Sequence, residues 1–411
     1  VRDGVIEQVL PAAEAAERFA DYEQVSLPDH VLIPGLVNAH THAAMALMRG
    51  LGDDLPLERW LSERMWPVER RHLSARLVRD GTALACAEML RGGVTCFNDM
   101  YFFPEAALEA ALEAQMRVAV GLIVVDFATP YASDPDDYLR KGLALRDASR
   151  EQPLASFCFA PHAPYTVSDD ALRHVATLAA ELDIPVHLHL HETESEIERS
   201  LADHGVRPLE RLRRLGLLGP GLIAVHGVHL LPDEIEILAR HGCSVVHCPS
   251  SNLKLASGFA PVHAMLKKGV NVALGTDGAA SNNRLDVLTE MRTAALLAKA
   301  VARDAQALPA HAALHAATLG GARALGLGAR IGSIEPGKRA DLAALALRGP
   351  ELAPCYDAVS QLVYAAGREH VTHVWVDGEL LVRDGALEHP ASGLDTRWQI
   401  WQNAFEGPPG S

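Results

Sequence analysis

The chain has 411 residues, 49% of them hydrophobic and 22% charged, with 37 Lys and Arg against 52 Asp and Glu for a formal net charge of −15. This is enough apolar content for one large domain and a smaller one, and the acidic balance without a clustered basic stripe argues against a nucleic-acid partner. No run approaches the roughly 18 apolar residues of a membrane span and no signal-peptide pattern is visible, so small-molecule chemistry in the cytoplasm is expected. The cysteines at 86, 96, 158, 243, 248 and 355 are scattered without C-x-x-C spacing and read as reduced.

Residues 1–33 hold a short strand pattern at Val1–Val9, an Ala/Glu-rich stretch and a polar run into Pro28. That is too little for an independent core, so the segment is read as the N-terminal part of a small β-domain, with its start expected to be truncated. From Val31 onward, short β-rich runs alternate with helical patterns, the signature of a parallel sheet with crossover helices. The runs are 31–42, 94–100, 117–125, 155–162, 185–191, 222–226, 244–248 and 271–277. Eight strands fit a (β/α)8 barrel over residues 34–328 better than an open doubly wound sheet. Strand patterns return after Gly332, with a hairpin expected around Asp377-Gly378. Residues 329–390 are assigned to the small β-domain, a β-sandwich built from both chain ends, and 391–411 to a terminal helix and loose tail.

In such a barrel the C-terminal strand ends carry the chemistry. The first run stops at His40-Thr-His42, where a period-two strand puts both imidazoles on one face. Further strand ends supply His189, His226 and Asp277. Imidazoles with one carboxylate suit zinc, with iron(II) or another transition metal as the alternative, and disfavour Mg²⁺ or Ca²⁺. His187, His189 and His191 alternate and would share a side. His189 is the ligand expected at the mouth, because Glu192 follows three residues later and is placed as a proton shuttle. His187 is read as a hydrogen-bonded interior residue, and His191 as a neighbour of the ligands or a polar residue at the rim.

These segments, together with Cys248-Pro-Ser-Ser-Asn252, Gly275-Thr-Asp-Gly278 and Pro336-Gly-Lys-Arg-Ala-Asp-Leu342, resemble the amidohydrolase superfamily, in its aminohydrolase and chlorohydrolase branch, across nearly the whole chain. Within that branch, Asn98-Asp-Met-Tyr-Phe-Phe-Pro-Glu105, Pro161-His-Ala-Pro-Tyr165 and His189-Leu-His-Glu-Thr193 are most similar to 5′-methylthioadenosine/S-adenosylhomocysteine deaminases. The resemblance implies that His40, His42, His189 and Asp277 hold one divalent metal. It also implies that His226 sits beside the attacking water and the substrate, that Glu192 carries protons to the ring, that His162 contacts the base and that Glu105 holds the ribose hydroxyls.

Trp60 and Trp66, in the loop after the first run, would either wall the substrate or pack that loop on the barrel. The expected partner is a nucleoside, with a homo-oligomer left open. Two rivals remain: a related enzyme acting on guanine, a triazine or another N-heterocycle, and a barrel repurposed as a non-catalytic binding subunit.

Overall fold

The computed structural model describes residues 1–406, so the expected tail at 407–411 lies outside the described residues. The run read as one first strand is two strands, His30–Pro34 (β1) and Leu36–Thr41 (β2), which belong to different sheets. They part at Gly35, where an added Cβ would collide with Thr95; only a residue without a side chain lets the backbone pass there.

All six residues of β2 are buried. It begins a sheet of eight strands in sequential order, followed by Val94–Asp99 (β3), Arg117–Val124 (β4), Ala155–Pro161 (β5), Val186–Leu190 (β6), Leu222–His226 (β7), Ser244–His247 (β8) and Asn271–Leu274 (β9). Every neighbouring pair is parallel. Helices between the strands cover the outside, which is why the strands read as nearly continuous apolar runs and not as alternating ones. The chain past β9 returns to β2: Asp277 N–H donates to the His40 carbonyl at 3.1 Å, and Thr276 N–H to Asn38 Oδ1 at 2.9 Å. A Cβ on Gly275 would lie 2.9 Å from the His40 Cβ, so a glycine is needed for the two edges to meet. The result is a nearly closed (β/α)8 barrel.

The second sheet is antiparallel and joins β1 to Leu342–Ala346 (β10), Val371–Val376 (β11), Glu379–Arg383 (β12) and Ala386–Leu387 (β13), in that order. Asp377 and Gly378 take φ of 56° and 87°, as the expected two-residue hairpin requires. The N-terminal strand pattern forms only isolated bridges, one of them from Val5 to Arg339, and β1 supplies the N-terminal strand of this sheet. At the joint, Arg117 on β4 donates to Asp341 at 2.7 and 2.9 Å and to Asp377 at 2.9 Å. The C-terminal helix Leu394–Glu406 docks through Trp401, whose indole N–H donates to Asp80 at 3.0 Å. It packs in one cluster with Trp60, Met65 and Leu73 and so braces the loop after β2.

Candidate metal centre and active site

Four side chains meet at the mouth of the barrel. The Asp277 Oδ1 lies 3.3 Å from His40 Nε2 and 3.2 Å from His42 Nε2, and His189 Nε2 lies 3.3 Å from His40 Nε2. Donor atoms set about 2.0–2.1 Å from one ion at tetrahedral angles would be roughly 3.3–3.4 Å apart, so the spacing fits a single divalent metal held between them. The far ring nitrogens are committed: His42 Nδ1–H donates to the Met100 carbonyl at 2.6 Å and His189 Nδ1–H to the His162 carbonyl at 2.7 Å. That tautomer leaves each Nε2 with a lone pair facing inward. Beneath them His40 Nδ1 meets His187 Nε2 at 3.0 Å, which places His187 in the interior, as a support for His40. The carboxylate is also held, with Ser251 and Ser281 hydroxyls donating to Asp277 Oδ2 at 2.6 and 2.7 Å.

Two further groups face the same space. His226 Nδ1–H donates to Asn252 Oδ1 at 2.9 Å, which turns its Nε2 to within 3.6 Å of Glu192 Oε2. Burial pushes the Glu192 carboxyl above its ordinary value, as suits a group that carries a proton near neutrality. Strand geometry alone would send Glu192 outward, because side chains alternate. The reversal comes at His191, whose φ is +56°. The left-handed residue swings the chain so that Glu192 enters the site, while the His191 ring leaves the shared face and accepts the Leu209 N–H at 3.0 Å. His226 and Asp277 also have positive φ, 75° and 61°. Left-handed backbone at non-glycine residues is costly and gathers where geometry serves function.

The remaining expected contacts divide. His162 is part-buried beside His189, their ring centroids 4.8 Å apart, and burial pushes its pKa down to about 3, so the ring is neutral. Trp66 is 44% exposed and lines a cavity of about 940 Å³ with Leu61, Phe127, Tyr165, Thr193 and Glu196, a volume that suits a small ligand. Trp60 is buried in the cluster under the C-terminal helix. Glu105 sits half-buried in the first turn of the helix Pro104–Glu113, and its charged neighbours are Lys141 and Glu109, with no ligand residue among them. A further carboxylate within charge range of a ligand residue is Glu69, which sequence reasoning missed. It accepts the Tyr101 hydroxyl at 2.6 Å, burial pushes its pKa up, and His42 lies within charge range. The signal for it was indirect, in Tyr101 of the Asn98–Glu105 segment.

Residues 31–381 match the amidohydrolase family. The 5-methylthioadenosine/S-adenosylhomocysteine deaminase of Teredinibacter turnerae is 50% identical over 93% of this chain and 86% of its own. The 5′-deoxyadenosine deaminase of Methanothermobacter thermautotrophicus is 44% identical over 87% of this chain and 83% of its own. Among solved structures, an adenosine deaminase from Xanthomonas campestris with bound zinc superposes with a TM-score of 0.97 and 52% identity, covering 99% of this chain and 93% of that one. A guanine deaminase from Bradyrhizobium japonicum gives a TM-score of 0.84 with 26% identity over 93% and 92%. With the family match spanning most of its length and the ligand residues falling inside it, the chain belongs to the amidohydrolase family.

Proposed function

We propose that this protein hydrolytically deaminates the adenine ring of 5′-methylthioadenosine, S-adenosylhomocysteine and related adenosines, releasing ammonia and the inosine-type nucleoside. The observation that carries the reading is the pairing of a three-imidazole, one-carboxylate donor set with Glu192 and His226 turned into the same space. His40, His42, His189 and Asp277 would hold the metal, with zinc favoured by the donor types and iron(II) the alternative. When bound, such an ion supplies Lewis acidity that brings the pKa of a water from 15.7 toward ~7.

The residues do the rest. Asp277 and His226 take and steer the proton of the attacking water, with His226 held in its tautomer by Asn252. Glu192 delivers a proton to the ring nitrogen beside C6, which removes aromatic resistance to addition, and a second transfer lets the amine leave as ammonia. His162, neutral and beside the ligands, would touch the base, and Trp66, on the cavity that runs past Tyr165 and Thr193, would wall the outer part of the substrate. For the ribose diol we assign Glu69 in place of Glu105, since Glu69 is the carboxylate near His42.

The names of the relatives at 44–50% identity support adenosine-type substrates. Five of the six cysteines are buried and all are free, which fits a cytoplasmic setting, and no helix among the described residues is long and apolar enough to cross a membrane. Steady-state rates on methylthioadenosine, S-adenosylhomocysteine, adenosine and guanine test the proposal. The adenosines should be turned over with ammonia release and guanine poorly; faster turnover of guanine would hand the assignment to the bare-heterocycle alternative.

A further inference from the structure

We propose that Glu196 is a positioning residue that fixes the backbone turn carrying Glu192, and through it the proton-transfer geometry; this rests on the reading of Glu192 as the proton carrier. Glu196 lies in the first turn of the helix Glu194–His204, whose N-cap Thr193 already accepts the Glu196 N–H. Its carboxylate bends back out of the helix. One oxygen accepts the His191 N–H at 2.9 Å and the other accepts the Glu192 N–H at 2.8 Å. The residue is 4% exposed, and no cation comes within ion-pair distance of it among the described residues.

A buried carboxylate without a cation is an expensive way to cap a helix that a neutral threonine caps already. What needs it is the turn. His191 leaves the strand with a left-handed φ of +56°, so its own N–H and the next one lose the ladder partners that a regular strand would offer, and buried N–H groups must be paired. A carboxyl group can accept both bonds at once, one per oxygen, and burial pushes the Glu196 pKa up to about 8. The two N–H groups lie in the successive peptides on either side of the His191 Cα, so the pair of bonds fixes the orientation of both peptides and with it the turn at His191. Rotation at that turn would move the Glu192 carboxylate off its 3.6 Å approach to His226 Nε2, and displacements near 1 Å can cost on the order of 10²-fold in rate.

The test uses Glu196→Gln, which keeps shape and packing but sets an amide NH₂ against one of the two N–H groups. The expected result is a fall in kcat of about tenfold to a hundredfold with KM within about twofold, and an unchanged metal-to-protein ratio. Glu196→Asp, made alongside, keeps both acceptors and the charge one methylene short. It should show the same split in milder form, and it reads out the proposal should the glutamine variant fail to fold. In the Glu192→Gln background, Glu196→Gln should have little further effect, because the two act through one group. A kcat within twofold of wild type in the variants that fold, loss of metal, or a full multiplicative effect in the double variant overturns the proposal. If Glu192→Gln alone is fully active, it is the assignment of Glu192 that fails, and the two failures are distinct.

Discussion

The two ends of the barrel use charge in opposite ways. Where the barrel meets the small sheet, Arg117 has two carboxylates and the Pro153 carbonyl around it, at 2.7–3.1 Å, and the same Asp341 also accepts the Asp377 N–H at 2.9 Å. Donors and acceptors there are matched within the protein, which is what a buried ion cluster needs if it is to hold two layers together. At the mouth, imidazole nitrogens and a carboxylate oxygen face one another at 3.2–3.3 Å, and three residues around them take left-handed backbone. Internal satisfaction marks a joint; convergence of lone pairs under strain marks a place prepared for something brought from outside.

The comparison breaks most clearly at a ligand. His189→Ala should leave the fold in place, as judged by circular dichroism, while bound metal and deamination are both lost; a metal-free variant with full activity would remove the metal from the account. Glu192→Gln should keep the metal and lose on the order of 10²–10⁴-fold in kcat. Retention of activity within a few-fold would place the proton carrier elsewhere. Next come the two candidate acids for the ribose. Glu69→Ala should lower kcat/KM on adenosine by roughly tenfold or more, since a hydrogen bond to a charged group is worth about 1.5–3 kcal/mol, and have little effect on a 2′,3′-dideoxy analogue. Glu105→Ala should alter neither; the reverse pattern would restore Glu105 to the ribose. At the other end of the barrel, Asp341→Ala should destabilise the protein by about 3–5 kcal/mol in denaturant unfolding, yet leave kcat of the folded enzyme within about twofold. A large kcat loss with unchanged stability would show that the joint is part of the site.

Much of this was legible in the chain because parallel strands are apolar on both faces and their ends are polar. His40, His42, His189, His226 and Asp277 could be placed at one mouth from strand order alone, with the resemblance to the amidohydrolases choosing the four ligands among them. Three things could not. The break at Gly35 depends on Thr95, which is distant in sequence, so two strands read as one run. Glu192 was expected at the site from its spacing to His189, but the backbone that turns it inward is a left-handed histidine, and local pattern gives a histidine no mark for that conformation. Glu69 is invisible for a third reason: its role comes from where the loop after β2 folds, and that is set by packing against the C-terminal helix near Trp401. Glu105, by contrast, lies in a segment that resembles the deaminases, yet it starts a helix, half-buried, with Lys141 and Glu109 as its charged neighbours.

The seam between β9 and β2 also orders events in time. Asn38 and Thr276, which bond across it, are 238 residues apart, so during synthesis His40 and His42 emerge long before the carboxylate that completes their set. A nascent chain that has reached only β8 already holds its imidazoles but has neither Asp277 nor the edge on which Asp277 sits. The complete four-donor set therefore exists only once the ring closes. An ion held by residues at the ends of the first and last barrel strands would act as a clasp on the join, and its removal should let the barrel open there first, with amide exchange rising at Thr276 and Asp277 before it rises in the strands opposite.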